Sequence, residues 1–120
     1  MKNYRELVVW QKSMELVKQV YIATRLLPKE ELFALTNQIR RAVISIPSNI
    51  AEGYGRHSRN DYLRFLNIAR GSKNEVETQL HICLMLDYCK PEEIAEAQAL
   101  CREVGKMLNA LIASLEAVVV

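Results

Sequence analysis

The sequence predicts an all-α protein, an antiparallel up-down four-helix bundle formed by one domain over residues 1–120. Four long segments repeat apolar residues at steps of three and four, which is the spacing of one face of an α-helix. The chain holds only four Gly and three Pro, too few turn residues for a sandwich or barrel of many short strands. Because short turns join the four segments, consecutive helices are expected to run antiparallel.

The first predicted helix ends before Pro28, because proline disfavours the α conformation of the residue before it. Its apolar stripe comprises Leu7, Trp10, Met14, Val17, Tyr21 and Thr24. The second helix is expected to begin at Pro28, which suits a first helical turn. Pro47 lies inside the second stripe and predicts a bend. Gly53-Tyr54-Gly55 predicts the end of this helix, with a glycine in the left-handed conformation.

Local residues mark the ends of the third and fourth helices. Ser58 is the expected N-cap of the third helix, with Asp61 in its first turn. Gly71-Ser72 in the middle of this helix is costly for helix formation and predicts the close approach of another backbone. Residues 87–90 form the last turn, and Pro91 opens the fourth helix. The expected core contains Trp10, Leu35, Ile39, Ile46, Phe65, Leu66, Val76, Leu80, Val104 and Leu111.

The composition disfavours membrane and secreted proteins. The longest stretch free of Lys, Arg, Asp and Glu is Ala42–Ala51, about half of what a membrane helix requires. The first six residues lack the apolar segment of a signal peptide. Cys83, Cys89 and Cys101 cannot all pair, and we expect them to be small buried side chains in a reducing compartment. We therefore expect a cytoplasmic protein that does not span a membrane.

Motifs of catalytic and metal sites are missing from the sequence. It contains no phosphate-loop motif, no Gly-x-Ser-x-Gly and no His-Glu-x-x-His. His57 and His81 have no Cys or carboxylate at metal-ligand spacing. We expect no enzyme activity, no metal and no cofactor.

Basic residues are concentrated in the middle of the chain. The formal net charge is only +2, yet the window 36–73 carries +5 and the remainder carries −3. The basic members of the window are Arg40, Arg41, Arg56, Arg59, Arg64, Arg70 and Lys73. Arginine suits bidentate contacts with phosphate, and an exposed Tyr54 beside His57 is expected to stack on an unpaired base. These nine residues are the predicted nucleic-acid-binding set.

Arg40 and Arg41 are adjacent and about 100° apart on a helix, so they cannot both serve one surface. One of them is expected to form a structural ion pair instead, with Arg41 favoured because it shares a stripe with Glu52. The alternative for the entire basic window is an ordinary solvated, salt-bridged helix face.

Two polar stripes repeat at helical spacing beside the apolar ones. The second helix carries Gln38, Arg41, Ser45, Ser48 and Glu52, and the third carries Asn60, Arg64, Asn67, Gly71, Asn74 and Thr78. These side chains are small, amide-bearing or Arg-containing and include no Lys, which favours a hydrogen-bonded interface over open solvent. The predicted subunit contacts are Gln38, Ser45, Ser48, Glu52, Asn67, Gly71 and Asn74.

Five segments of the sequence carry a family resemblance: Leu7–Lys12, Pro28–Glu31, Leu35–Ala42, Ser45–Gly53 and Arg64–Ser72. On these segments, the chain resembles the bacterial four-helix-bundle family encoded in intervening sequences of 23S ribosomal RNA genes. The same family includes the accessory variability determinant of diversity-generating retroelements. The similarity is close from the first to the late third helix and is one of pattern only in the fourth.

The resemblance implies a four-helix protomer, assembly into a ring-like homopentamer and no catalytic activity. For the retroelement branch it also implies a basic surface that binds RNA or DNA, and a partner reverse transcriptase. Two functions therefore stay open. One is an oligomeric module that binds structured nucleic acid, and the other is an oligomeric protein-interaction scaffold whose arginines stabilise the assembly.

Overall fold

Four antiparallel helices form the bundle in a computed structural model that describes residues 3–117. They are α1 (Val8–Thr24), α2 (Leu35–Tyr54), α3 (Arg59–Met85) and α4 (Pro91–Glu116), and the described residues contain no strand. Each helix packs against the helices before and after it in the chain, and α4 returns to pack on α1. The bundle measures 51 × 24 × 22 Å. The predicted fold class is confirmed.

The helix ends that depend on local chemistry lie where the sequence predicts them. The hydroxyl of Ser58 accepts a hydrogen bond from the backbone N–H of Asp61 at 3.1 Å and caps α3. Pro91 is the first residue of α4. The backbone N–H of Lys90 donates to the Glu93 carboxylate at 2.7 Å, which closes the first turn of α4.

The predicted start of the second helix at Pro28 is wrong. Pro28 precedes a short 3₁₀ helix, Lys29–Glu31, and a turn, so that α2 begins only at Leu35. The Glu31 carboxylate accepts the hydroxyl of Tyr88 at 2.7 Å and the backbone N–H of Leu35 at 3.4 Å. This carboxylate therefore joins the α1–α2 connection to the α3–α4 connection, a long-range contact that sequence periodicity does not reveal.

The predicted left-handed glycine at the end of α2 is also wrong. Gly53 lies inside α2, Gly55 has a right-handed φ of −80°, and no described glycine has a positive φ. The left-handed residue is Asp87, with φ 60°, just after α3. The N–H of Tyr88 reaches the carbonyl of Cys83 at 3.0 Å, the bond that closes a helix around a left-handed residue.

The core confirms part of the predicted set. Ile39, Ile46, Leu66, Val76, Leu80 and Val104 are buried, whereas Trp10, Leu35, Phe65 and Leu111 are only half-buried. In α1, the buried face runs through Val9, Leu16 and Val20, one position away from the predicted stripe, and Met14 is exposed. Adjacent apolar pairs such as Leu16-Val17 give α1 two neighbouring stripes, and packing against α4 selects one of them.

All three cysteines are free; Cys83 and Cys101 are buried, as predicted, whereas Cys89 is only partly buried. Burial raises the pKa of the Cys83 thiol to about 11 and that of Cys101 to about 12. Neither thiol is therefore an effective nucleophile at neutral pH. Within residues 3–117, no helix is long and apolar enough to cross a membrane.

Candidate nucleic-acid interface

The turn between α2 and α3 brings several of the predicted binding residues together. We define the α2–α3 end as residues 54–64, from the last residue of α2 into the first turns of α3. Arg56, His57, Arg59 and Arg64 are all exposed there. The Ser58 cap fixes the start of α3, so Arg59 stands at the first position of a 27-residue helix. This end of the bundle therefore presents three arginines and a histidine to solvent within eleven residues of the chain.

Aromatic rings lie beneath these cations. The guanidinium of Arg56 lies 4.8 Å from the ring centroid of Phe65, and the guanidinium of Arg64 lies 4.4 Å from it. The rings of Tyr54 and Tyr62 meet edge to face with centroids 6.1 Å apart. Burial, with a smaller effect of Tyr54, raises the pKa of the Tyr62 hydroxyl, which therefore stays protonated at neutral pH. The half-buried Phe65 thus packs under charged groups instead of in the core.

Two carboxylates orient part of this cluster. Arg56 donates to Glu52 at 2.7 Å, and Arg64 lies 3.8 Å from Asp61. Such exposed pairs contribute little stability, but they hold the guanidinium groups above the rings. Among the described residues, the structural ion pair expected of Arg41 is not formed: Glu52, on the same stripe, lies three helical turns farther along α2 and bonds to Arg56. Within residues 3–117, the side chains of His57 and Arg59 form no hydrogen bond and no ion pair.

Four other residues of the predicted binding set, Arg40, Arg41, Arg70 and Lys73, lie away from the α2–α3 end. Arg40 donates to the hydroxyl of Thr24 at 2.9 Å and stacks 4.6 Å above the ring centroid of Tyr21. It therefore fastens α1 to α2. Lys73 is 13% exposed and pairs with Glu77 at 2.8 Å along α3. The structure thus gives Arg40 the structural role that the sequence assigned to Arg41.

Arg70 is bound on the α3–α4 side of the bundle. Its guanidinium donates to the side-chain oxygens of Asn67 at 2.6 Å and Asn109 at 3.2 Å. Arg41, in contrast, is exposed and borders the space between α2 and α3. Of the nine predicted residues, five therefore lie at the α2–α3 end and Arg41 lies beside the space between α2 and α3. The other three, Arg40, Arg70 and Lys73, make contacts within the bundle.

The predicted subunit-contact residues also lie in different parts of the structure. A groove between α2 and α3 has two parts, a polar one of about 340 Å³ and a more apolar one of about 480 Å³, which share Gln38 and Glu75. We call it the α2–α3 groove. It is lined by Leu35, Asn37, Gln38, Arg41, Ala42, Ser45, Gly71, Ser72, Asn74, Glu75, Thr78, Gln79 and Ile82. Four predicted contacts, Gln38, Ser45, Gly71 and Asn74, lie in it.

The remaining predicted contacts lie elsewhere. Ser48 borders an apolar groove of about 340 Å³ between α1 and α2, beside Trp10 and Pro47. Glu52 is engaged with Arg56, and Asn67 is engaged with Arg70. Sequence reasoning missed Glu75 and Gln79, since neither falls on the predicted stripe of α3.

Within the protomer, no backbone makes the close approach predicted at Gly71. A methyl group added there would meet nothing within 4 Å, so Gly71 faces open space in the groove. The close approach is at Gly53, where an added Cβ would lie 2.7 Å from the Cβ of Phe65. The helices α2 and α3 therefore touch near the α2–α3 end and open into the groove farther along. The hydroxyls of Ser45 and Ser72, 2.8 Å apart, span the wall of this groove.

The described residues contain no group of three His, Cys, Asp or Glu side chains that would hold a metal ion. Comparison with known families gives one match, over residues 5–110, to the 23S rRNA-intervening sequence proteins. The chain belongs to this family. No match was found among curated proteins.

One solved structure similar to this intervening-sequence protein is the crystal structure of a protein of unknown function from the S23 ribosomal protein family of Bacteroides thetaiotaomicron. The two chains are 32% identical, with a TM-score of 0.79. The match covers 88% of this intervening-sequence protein and 96% of the Bacteroides chain. The four-helix fold is therefore shared over almost the full length of the Bacteroides protein.

Proposed function

We propose that this intervening-sequence protein is a non-catalytic, oligomeric accessory protein that binds structured nucleic acid through its α2–α3 end. The observation that carries the proposal is the pair of exposed side chains without carboxylate partners, His57 and Arg59, beside the two arginines that cover Phe65. A phosphate anion gains charge-assisted hydrogen bonds from such groups at little cost in desolvation. Membership of a family named for ribosomal RNA intervening sequences supports this choice of partner.

The arrangement favours looped RNA over plain duplex. Arg56 and Arg64 are already stacked on an aromatic ring, so their planar groups present hydrogen-bond donors outward with little loss of conformational freedom. Tyr54 lies at the same end; it is half-buried against Tyr62 and not fully exposed as expected, and we infer that an unpaired base stacks on the part of its ring that remains accessible. Hydrogen bonds to phosphates and stacking with a splayed base together select single-stranded loops within a folded RNA.

Oligomerisation multiplies this site. The resemblance implies a ring of five protomers, and symmetry repeats the α2–α3 end on each one. Individually weak phosphate contacts then act together through effective concentration. We therefore expect the assembled protein to bind a long structured RNA far more tightly than a single protomer does.

A second function, an oligomeric scaffold for a protein partner, is favoured by a different observation. Arg40, Arg70 and Lys73 are engaged within the protomer and stabilise the bundle. If the arginines of the α2–α3 end act in the same way, they support subunit contacts and do not touch phosphate. The partner reverse transcriptase of the retroelement branch is the kind of protein that such a scaffold would hold.

Charge reversal at the α2–α3 end separates the two functions. We expect Arg56→Glu with Arg59→Glu to weaken binding of a stem-loop RNA at least 100-fold at fixed salt, because two phosphate contacts become repulsive. The slope of log affinity against log salt should fall by about 1.5 for two lost contacts. Filter binding over a salt series measures both quantities.

The matched control is Lys18→Glu with Lys106→Glu on α1 and α4, both exposed positions. Each double variant changes the formal net charge from +2 to −2, so a general effect of charge would weaken binding equally in both. The scaffold function is supported if the Arg56/Arg59 variant folds, assembles and binds RNA with wild-type affinity.

A further inference from the structure

Exposed apolar side chains are concentrated at the end of the bundle opposite to the α2–α3 end, where α1 leads into α2 and α3 leads into α4. Among the described residues, ten large apolar side chains are exposed. Five of the ten lie in these two connections or border them: Leu26, Leu32, Phe33, Met85 and Leu86. We call these five residues the apolar end. Phe33, at 90%, and Met85, at 67%, are its most exposed members.

Phe33 and Met85 lie close to one groove. The hydrogen bond between Tyr88 and the Glu31 carboxylate, described above, joins the two connections. Leu35 and Ile82 line the more apolar part of the α2–α3 groove. Phe33 precedes the first of these by two residues, and Met85 follows the second by one helical turn. The apolar end therefore continues the more apolar part of this groove outward.

Packing within the protomer does not account for this exposure. A phenylalanine that is 90% exposed adds almost nothing to the stability of the bundle, because its ring stays in water. Isolated apolar side chains on a surface are ordinary, whereas a cluster of them is typical of a surface that another molecule covers. The apolar end is such a cluster.

Acidic side chains predominate around the apolar end. Residues 25–34 and 85–93 contain five acidic and three basic side chains, a formal net charge of −2. Two of the basic residues, Arg25 and Lys29, line a pocket on the α1 side of this end, beside Thr24. The third is Lys90, at the start of α4.

The carboxylates nearest in sequence to the two most exposed side chains are those of Glu30 and Asp87. Both are exposed, and among the described residues neither forms an ion pair. The hydrogen bond to Glu31, burial and the negative charges of Glu31 and Glu30 raise the pKa of the Tyr88 hydroxyl. The side of the apolar end between α2 and α3 is therefore both apolar and negative.

We propose that the apolar end docks a segment of a partner protein whose apolar side chains cover Phe33 and Met85 and whose flanking residues are Lys or Arg. Charge complementarity selects this occupant, because Glu30 and Asp87 attract basic side chains and repel nucleic-acid phosphates and anionic lipid headgroups. The inference rests on the protein partner of the second proposed function. It is independent of nucleic-acid binding at the opposite end of the bundle.

Fluorescence anisotropy with two labelled synthetic peptides tests the surface. One peptide carries leucines at helical spacing and lysines at the other positions, and the second has glutamate in place of every lysine. We expect the wild type to bind the lysine peptide at least tenfold more tightly than the glutamate peptide at low salt. Phe33→Ser with Met85→Ser should weaken binding of the lysine peptide at least tenfold, because both apolar anchors are lost.

A matched apolar control is Ile44→Ser with Ile68→Ser, which removes two exposed apolar side chains of α2 and α3 away from this end. It should bind the lysine peptide as the wild type does. The melting temperature of Phe33→Ser with Met85→Ser should barely change, since both side chains are mostly exposed in the folded protein.

A second pair of variants tests the charge. Glu30→Gln with Asp87→Asn should reduce the preference for the lysine peptide, and asparagine tolerates the left-handed φ of 60° at position 87. Glu15→Gln with Glu116→Gln removes the same charge from exposed positions of α1 and α4 and should keep the preference.

The outcomes separate this inference from the proposed function. Equal binding of the lysine peptide by the wild type and the Phe33/Met85 variant overturns the docking surface and leaves RNA binding and the oligomer standing. Equal binding of both peptides by the wild type overturns the basic partner. If the Phe33/Met85 variant instead loses assembly in sedimentation velocity, or loses binding to phosphatidylglycerol vesicles, the occupant is a second copy or a membrane and the proposal is wrong.

Discussion

Leu66→Ala is expected to lower the free energy of unfolding by about 3–4 kcal/mol, the usual cost of deleting a buried leucine side chain. Leu66 is 0% exposed and packs in the centre of the bundle. Its removal leaves a cavity that neighbours from several helices line, and close-packed interiors relax only partly around such a cavity. Urea denaturation of the variant and the wild type at one protein concentration measures the difference.

The adjacent residue supplies the control. Phe65 is half-buried under the guanidinium groups of Arg56 and Arg64, so truncating it to alanine removes less apolar surface from a dry environment. We expect Phe65→Ala to cost roughly 2 kcal/mol, about half the value for a buried aromatic ring. If Phe65→Ala costs as much as Leu66→Ala or more, the assignment of Phe65 to the periphery is wrong.

Gly53→Ala is expected to destabilise the protein by about 1–3 kcal/mol, although alanine is the better helix former. The added Cβ would lie 2.7 Å from the Cβ of Phe65 and 3.1 Å from the ring of Tyr62. A Cβ is fixed to the backbone, so α2 and α3 must separate where they support the α2–α3 end. Circular dichroism melts and the affinity for RNA should therefore decline together.

Gly105→Ala is the matched control for steric contact. Its Cβ would meet only the flexible end of Lys73, with Nζ at 2.9 Å, and that chain is able to move aside. We expect Gly105→Ala to be neutral or stabilising by up to about 1 kcal/mol, from helix propensity alone. Equal destabilisation by Gly53→Ala and Gly105→Ala would show that the close helix approach at Gly53 is not what limits substitution.

The sequence predicted those helix ends that one or two neighbouring residues determine. Ser58 caps α3 because its hydroxyl reaches an N–H three residues on, and Pro91 opens α4 because it needs no donor there. The sequence did not predict the start of α2, because the carboxylate of Glu31 is held by Tyr88, 57 residues away in the chain. Such a contact becomes visible only when the two connections meet in the fold.

The buried face of a helix was predictable only where its apolar pattern allows one choice. In α2, Ile39, Ile46 and Ile50 allow one stripe, and all three are buried. In α1, adjacent apolar pairs allow two stripes, and the packing of α4 determines which one is buried. Helical periodicity alone cannot resolve such a pair, since both stripes satisfy the same spacing.

The candidate site was predictable as a region more than as a set of residues. The sequence located basic residues around the α2–α3 turn, and the structure collects Arg56, Arg59 and Arg64 there. It could not tell that Arg40 stacks on Tyr21, because that depends on which side of α2 faces α1. Charge counting treats all arginines alike, whereas tertiary partners determine which of them remain available to a ligand.

Cross-linking of the protein to a stem-loop RNA that contains thiouridine in its loop tests the nucleic-acid interface most directly. Mass spectrometry of the digested complex identifies the linked peptides. We expect the links within residues 54–64, and we expect a duplex of equal length to give few of them. Links confined to α1 and α4, or equal linking of loop and duplex, would contradict binding of looped RNA through the α2–α3 end.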